Sequence, residues 1–274
     1  MTPRALSHPG PRAGARFTAL PCHAQPVDLR LAAGVPFDQA VIRAFADAGF
    51  TAGYLKIGPA AFAHLSYVIP APAPGDGRAA WYSRTYTMRN ATVTEAGLHI
   101  GTKDGAAFLH CHGLWSEGGG PVRMGHLLSP ESVLRDDITA PGWGLTGAAL
   151  QVTHDPETGF DLFAPTPTAT GPAETNALLC TLRPNEDPHA LLVQAVAPLG
   201  DARIEGIGSL VTTQFDDDRL DSYATEVLVR SGRVAGDVTI DAASVGFDGD
   251  PKTGRLKPHG NRICITAELL LIAD

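Results

Sequence analysis

Phe108-Leu-His110-Cys-His112-Gly-Leu-Trp115 is followed by Ser116-Glu-Gly-Gly-Gly-Pro121 and then by Val122-Arg-Met-Gly-His126-Leu-Leu128. Read as a β-strand, the first piece puts His110 and His112 on one face and Cys111 on the other. The glycine-rich run is a turn, and the second piece returns as the other arm of a hairpin, which carries His126 toward the first two histidines. Three imidazoles converging with a coordination position left open suit zinc or a similar divalent metal. Packing histidines, each bonded to a backbone carbonyl, are the plainer alternative for the same spacing.

Upstream, Val27–Leu31 alternates as a strand and Ala33-Gly-Val-Pro36 ends it. Phe37, Val41 and Phe45 then fall four apart on one helical face, with Gly49 where a helix stop belongs. Residues 50–68 read as one or two strands broken at Gly58-Pro59, and 70–77 as loop. Trp81–Met88 and Ala91–Ile100 read as strands, with Gly97 a turn or bulge. Downstream, 132–138 and 144–153 are expected strands, the latter closing the unit. Residues 154–175, rich in Pro and Thr, read as a linker, and residues 1–26 as a flexible arm and lead-in.

The order then recurs. Ala177–Leu182 is a strand, Asp187–Val196 a helix with Pro188 in its first turn, and 204–215, 225–234, 237–247 and 262–272 are strands. A divergent tandem repeat is expected, with copies at 27–153 and 176–274.

Composition narrows the function classes. The 274 residues are 44% hydrophobic and only 18% charged, with 30 Gly and 22 Pro, a mixture that favours turns and strands over long exposed helices. The net charge of −8, with no run of Lys or Arg, argues against nucleic acid and anionic membrane surfaces as partners. Cys22, Cys111, Cys180 and Cys264 are too scattered for a disulfide framework, so a reducing interior is expected. No apolar run is long enough to span a bilayer, and the first residues lack the apolar core of a secretory signal. A cytoplasmic location is the resulting expectation.

Taken together, His110-x-His112, Gly125-His126-Leu127, Leu182-x-Pro184-x-Glu186, Ile207-Gly-Ser209 and Glu226-Val-Leu-Val-Arg-Ser-Gly232 resemble the plant- and prokaryote-conserved (PPC, also PCC, DUF296 or PD1-like) domain, here in two copies. The resemblance implies an α+β fold of two tandem domains, each a bent antiparallel β-sheet packed against one main helix, assembled as a homo-oligomer with a trimer favoured. It also implies a divalent metal, zinc first, on His110, His112 and His126. The second copy departs from the pattern: Thr239 and Asp241 stand where the His pair belongs, and only His259 remains near the third position. Conversely, the second copy keeps the carboxylate Glu226 where the first has Ala91 or a close neighbour. The pocket is therefore expected in the first copy, completed across a contact with another. Plant members carry an Arg-Gly-Arg-Pro hook for DNA, and this chain has none.

Arg30 and Glu226 are the further ligand-binding candidates. Arg30 could steady a small anionic ligand near the histidines, or pair with an acidic neighbour. Glu117 and Glu95 are candidate general bases for a metal-bound water, with solvated carboxylates as the alternative. His64 and His99 read as packed or hydrogen-bonded, and Asp216-Asp-Asp218 as a solvated turn without the ligand pattern of a calcium loop. No catalytic residue is assigned. The expected function is metal and small-ligand binding. A DNA-associated scaffold and a metal-dependent hydrolase or lyase are the alternatives.

Overall fold

A computed structural model describes residues 5–172 and 174–274. The first half carries β1 (Phe17–Leu31), α1 (Phe37–Asp47), β2 (Gly53–Ile57), β3 (Ala60–Val68), β4 (Pro70–Pro72), β5 (Ala80–Tyr82), β6 (Tyr86–Lys103), β7 (Ala106–Glu117), β8 (Arg123–Leu127), β9 (Val133–Leu134), β10 (Ile138–Thr146), β11 (Ala148–Asp155) and β12 (Phe160–Pro167). The second carries β13 (Ala177–Leu182), α2 (Pro188–Ala195), β14 (Ala202–Leu210), β15 (Thr225–Ala235), β16 (Asp237–Val245), β17 (Pro251–Arg255) and β18 (Ile263–Ala273). The fold is mostly antiparallel sheet, with two α-helices among the described residues. No helix among them is long and apolar enough to cross a membrane.

Strand β1 serves both halves. Phe17–Cys22 pairs with β13, and His23–Leu31 pairs with β10, so one strand joins the two sheets edge to edge. From β1 outward the first half runs β1-β10-β2-β6-β7-β8, and from β13 outward the second runs β13-β18-β14-β15-β16-β17. The second half runs first strand, last strand and then the rest in sequence; the first half matches it strand for strand through β8, with β3 and β9 added beyond β8 and the β11–β12 hairpin off the path.

Each helix buries one apolar stripe on its own sheet. Phe37, Val41 and Phe45 of α1 join Leu29, Leu31, Leu55, Phe62, Leu98 and Trp115 in one core. Leu191, Leu192 and Ala195 of α2 join Leu178, Ile204, Val227 and Leu271 in another. Asp187 caps α2, its Oδ1 accepting from the His189 and Ala190 amides, with Pro188 at the first position. The opposite faces of the two sheets meet each other: Leu114 and Met124 pack on Ile207, Leu228, Ala243 and Val245, and Tyr54, Leu145 and Leu150 on Leu179, Leu270 and Ile272. Helix, sheet, sheet and helix thus stack in four layers, with apolar clusters in the middle seam.

Several expected boundaries move. The arm is strand from Phe17, ten residues earlier than the alternation at Val27 suggests, and residues 5–16 are tied down rather than loose: Leu6 exchanges two hydrogen bonds with Asn185, and Arg16 bridges Glu157 and Glu186 at 2.8 Å each. The first four residues of the expected arm lie outside the described residues. The linker over 154–175 contains β12, a hairpin partner of β11; only 168–176 connects the halves without strand, and Ala173 lies outside the described residues. The closing strand of the first half is β10, which starts at Ile138, while the expected strand over 132–138 shrinks to Val133–Leu134. β6 is one strand of 18 residues, and its bulge lies between Val93 and Glu95 instead of at Gly97. Gly97 is needed for a different reason: a Cβ there would stand 2.0 Å from the Tyr54 hydroxyl.

Candidate metal centre

Strand alternation delivers His110 and His112 to the face of β7 that looks at the second-half sheet, while Cys111 goes into the α1 core. The β7–β8 hairpin sets His126 directly opposite His112 in register. Each of the three imidazoles offers a ring nitrogen within 4.8 Å of the others. His112 is fully buried, and His110 and His126 are half-buried.

The second half supplies the groups around them. His110 Nδ1 donates to Glu268 Oε2 on β18 at 2.6 Å, and His112 Nδ1 donates to the Val227 carbonyl on β15 at 2.9 Å. Both acceptors fix the ring proton on Nδ1, so each Nε2 presents a lone pair. Those two Nε2 atoms stand 3.2 Å apart. Two lone pairs at that distance repel unless a cation lies between them. His126 Nδ1 and Glu226 Oε2 are buried without a hydrogen-bond partner, and Glu226 Oε1 stands 3.9 Å from His112 Nε2. Orphaned donors and acceptors around facing lone pairs fit a divalent ion. Neutral nitrogen ligands backed by a carboxylate and a carbonyl are the environment zinc takes.

Burial keeps two of the candidate ligands, His112 and His126, unprotonated. It pushes His112 down to about 3 and holds His126 well below the ordinary imidazole range. Burial also lifts the Glu226 carboxyl well above the ordinary carboxylate range. Metal binding at neutral pH therefore requires no proton to leave His112 or His126.

A cleft of about 140 Å³ opens onto His110, His112 and Glu226. Trp81, Tyr82 and Phe160 come to it from the first half, Ser209, Thr225 and Ile265 from the second. The site therefore sits in the seam between halves of a single chain.

Other sequence candidates lie elsewhere. Arg30 lies away from the histidines: alternation along β1 buries Leu29 and Leu31 and leaves Arg30 on solvent, where it pairs with the acidic Asp137 at 2.9 Å beside α1 and lines no part of the histidine cleft. Glu95 pairs with Arg230 at 2.6 Å, and Glu117 accepts from the Arg89 amide at 2.6 Å, so neither reaches the cleft as a base. His259 pairs with the helix-capping Asp187 at 2.7 Å. His64 bonds Ser66, and Asp216–Asp218 are exposed. His99 is buried beside the site, its Nε2 3.0 Å from the Glu268 carbonyl, and it steadies β18 without joining the ligand group. Glu268 was missed by the motif reading. Its signal is a lone charge inside the apolar run Ile263–Ala273 of a strand that pairs on both sides.

No family model and no curated protein matches the chain. Solved structures do match it. The metal-containing protein of Archaeoglobus fulgidus is 20% identical, with 53% of this chain and 97% of its own covered and a TM-score of 0.40. A plant- and prokaryote-conserved (PPC) protein of Pyrococcus horikoshii is 14% identical, covering 56% of this chain and 96% of its own at a TM-score of 0.39. The chain is similar to PPC proteins over about half its length. A Ralstonia eutropha protein with a provisional DNA-binding name is 17% identical over 54% of this chain and 89% of its own, at a TM-score of 0.37.

Proposed function

We propose that the chain is a PPC-type protein of two divergent copies that binds one divalent metal, zinc first, and a small molecule at the seam between them. The shared strand order of the two halves supports the duplication. The observation that carries the metal is the pair of Nε2 atoms 3.2 Å apart, each with its proton committed to the far ring nitrogen. His110, His112 and His126 would hold the ion; Glu268 orients and strengthens His110, and the Val227 carbonyl does the same for His112. A divalent ion there supplies Lewis acidity toward an oxygen-bearing ligand. Glu226 reaches the same space from β15 and is placed to exchange a hydrogen bond with that ligand. If the site turns over, metal-dependent hydrolysis or lyase chemistry on a small substrate is the class it suits.

A net charge of −8 and the absence of Lys and Arg from the cleft lining support a small ligand over nucleic acid. The test is elemental analysis of untagged protein, wild type beside His112→Ala. About one zinc or similar ion per chain, lost in the variant, is the expected result. An equal metal content in both, or none in either, would reduce the three histidines to packing residues.

A further inference from the structure

The walls of the cleft differ in character from its floor. Trp81 and Tyr82 are about two-fifths exposed, on a short strand at the mouth, although both are large aromatics. They are not isolated. Trp81 packs against Phe160 with centroids 5.6 Å apart and against Tyr82 at 6.3 Å, and the Tyr82 ring stands 5.5 Å from the His126 ring. A track of rings therefore runs from the mouth to a metal ligand. Arg78 lies over the outer member, its guanidinium carbon 4.2 Å from the Trp81 centroid, and is itself held by Asp76 at 3.2 Å. That contact steadies the indole and leaves the cation already paired.

Charge points the same way. The ionisable side chains lining the cleft, beyond the histidines, Cys264 and Tyr82, are Asp161, which has Lys103 and His154 beside it, and the Glu226 carboxyl. An anionic substrate body would meet Asp161 and aromatic faces there; the cations nearby, Arg78 on Trp81 and Lys103 beside Asp161, are each already paired with a carboxylate. A planar apolar body loses nothing by leaving water there, and aromatic faces reward it through offset or edge contacts.

Resting on the metal centre described above, we propose that the cleft takes a neutral ligand with a planar, apolar body: its donor head on the histidine-held metal, its ring along Trp81, Tyr82 and Phe160. The walls thus select against small free anions such as phosphate, and against aromatic carboxylates.

The probe set separates head from body. Cobalt(II)-loaded protein is titrated at pH 8 with imidazole, 4-phenylimidazole, benzoate and inorganic phosphate, following the visible bands of the ion. Wild type is expected to bind 4-phenylimidazole at least about tenfold more tightly than imidazole, and more tightly than benzoate or phosphate. The doubly substituted variant Trp81→Ala, Phe160→Ala is expected to keep its cobalt spectrum and its imidazole affinity while the phenyl advantage falls to about twofold or less. Benzoate or phosphate binding more tightly than 4-phenylimidazole would overturn the proposal, as would a phenyl advantage unchanged in the variant. Failure of wild type to give any cobalt spectrum would instead refute the metal centre itself, and the ligand assignment with it.

Discussion

His110 and Glu268 meet at 2.6 Å, Nδ1 donating to Oε2, although 158 residues separate them. One is a candidate ligand on the first-half sheet, and the other is a buried carboxylate on the last strand of the chain. An imidazole whose far nitrogen leans on a carboxylate is a stronger and better-oriented metal ligand than one facing water.

Glu268→Gln keeps the shape of that contact and removes its charge. The expected outcome is zinc affinity weakened about 10–100-fold, measured by chelator competition, with circular dichroism unchanged. An affinity equal to wild type would show that the carboxylate only packs.

Residues 5–16 are held by a charge cluster whose centre is Glu157, 4% exposed, bonded by Arg16 and by the Ala13 amide. Burial raises the Glu157 carboxyl, but the Arg16 and Ala13 hydrogen bonds and the Arg16 charge outweigh it, so its folded pKa lies below the usual 4.5. A lowered folded value means that the stabilisation is fully present above the unfolded pKa and is lost as pH falls through the folded one. Arg16→Met leaves the buried carboxylate with only the Ala13 amide and Arg183, 4.0 Å away, and is expected to cost up to about 3–5 kcal/mol at pH 7. In calorimetry the gap between wild type and variant should narrow as the pH drops below about 4.5. A gap that stays constant with pH would assign the loss to packing.

Gly97 has no room for a side chain beside the Tyr54 hydroxyl. Gly97→Ala is expected to lower stability by about 1–3 kcal/mol through overpacking, read from urea midpoints at constant slope. Adding Tyr54→Phe should recover part of it, since the atom nearest the new Cβ is gone. No recovery would move the conflict to the ring or to Leu228, whose Cδ1 lies 2.9 Å from the same point.

Leu228 fills the seam between the sheets at 3% exposure. Leu228→Ala should cost about 2–5 kcal/mol and shift a single calorimetric transition as a whole. Two separable transitions would mean that the halves fold independently.

The chemistry was more legible in the sequence than its surroundings. His110, His112 and His126 are close in the chain, and a strand, a turn and a returning strand suffice to place them, so local periodicity and turn residues carry the information. The α1 stripe at Phe37, Val41 and Phe45 is local in the same sense. Glu268, Val227 and the face-to-face sheets depend on pairings across more than a hundred residues, which no spacing rule encodes. The place of Arg30 beside Asp137 was not legible, because alternation says which residues share a face but not what that face meets. β12 was hidden because Pro and Thr suggest a connector, and Pro is tolerated where a strand pairs on one side only, as β12 does with β11.

Strand β1, shared end to end by the two sheets, also fixes how the histidines meet their carboxylates. Had the halves been separate molecules, the contact of His110 with Glu268 would form only as fast as two partners found each other, and dilution would dissolve it. Within one chain that encounter is unimolecular, and a high effective concentration replaces bulk concentration. The complete ligand environment should therefore survive at any protein level, however scarce, so long as the second sheet still presents Glu226 and Glu268.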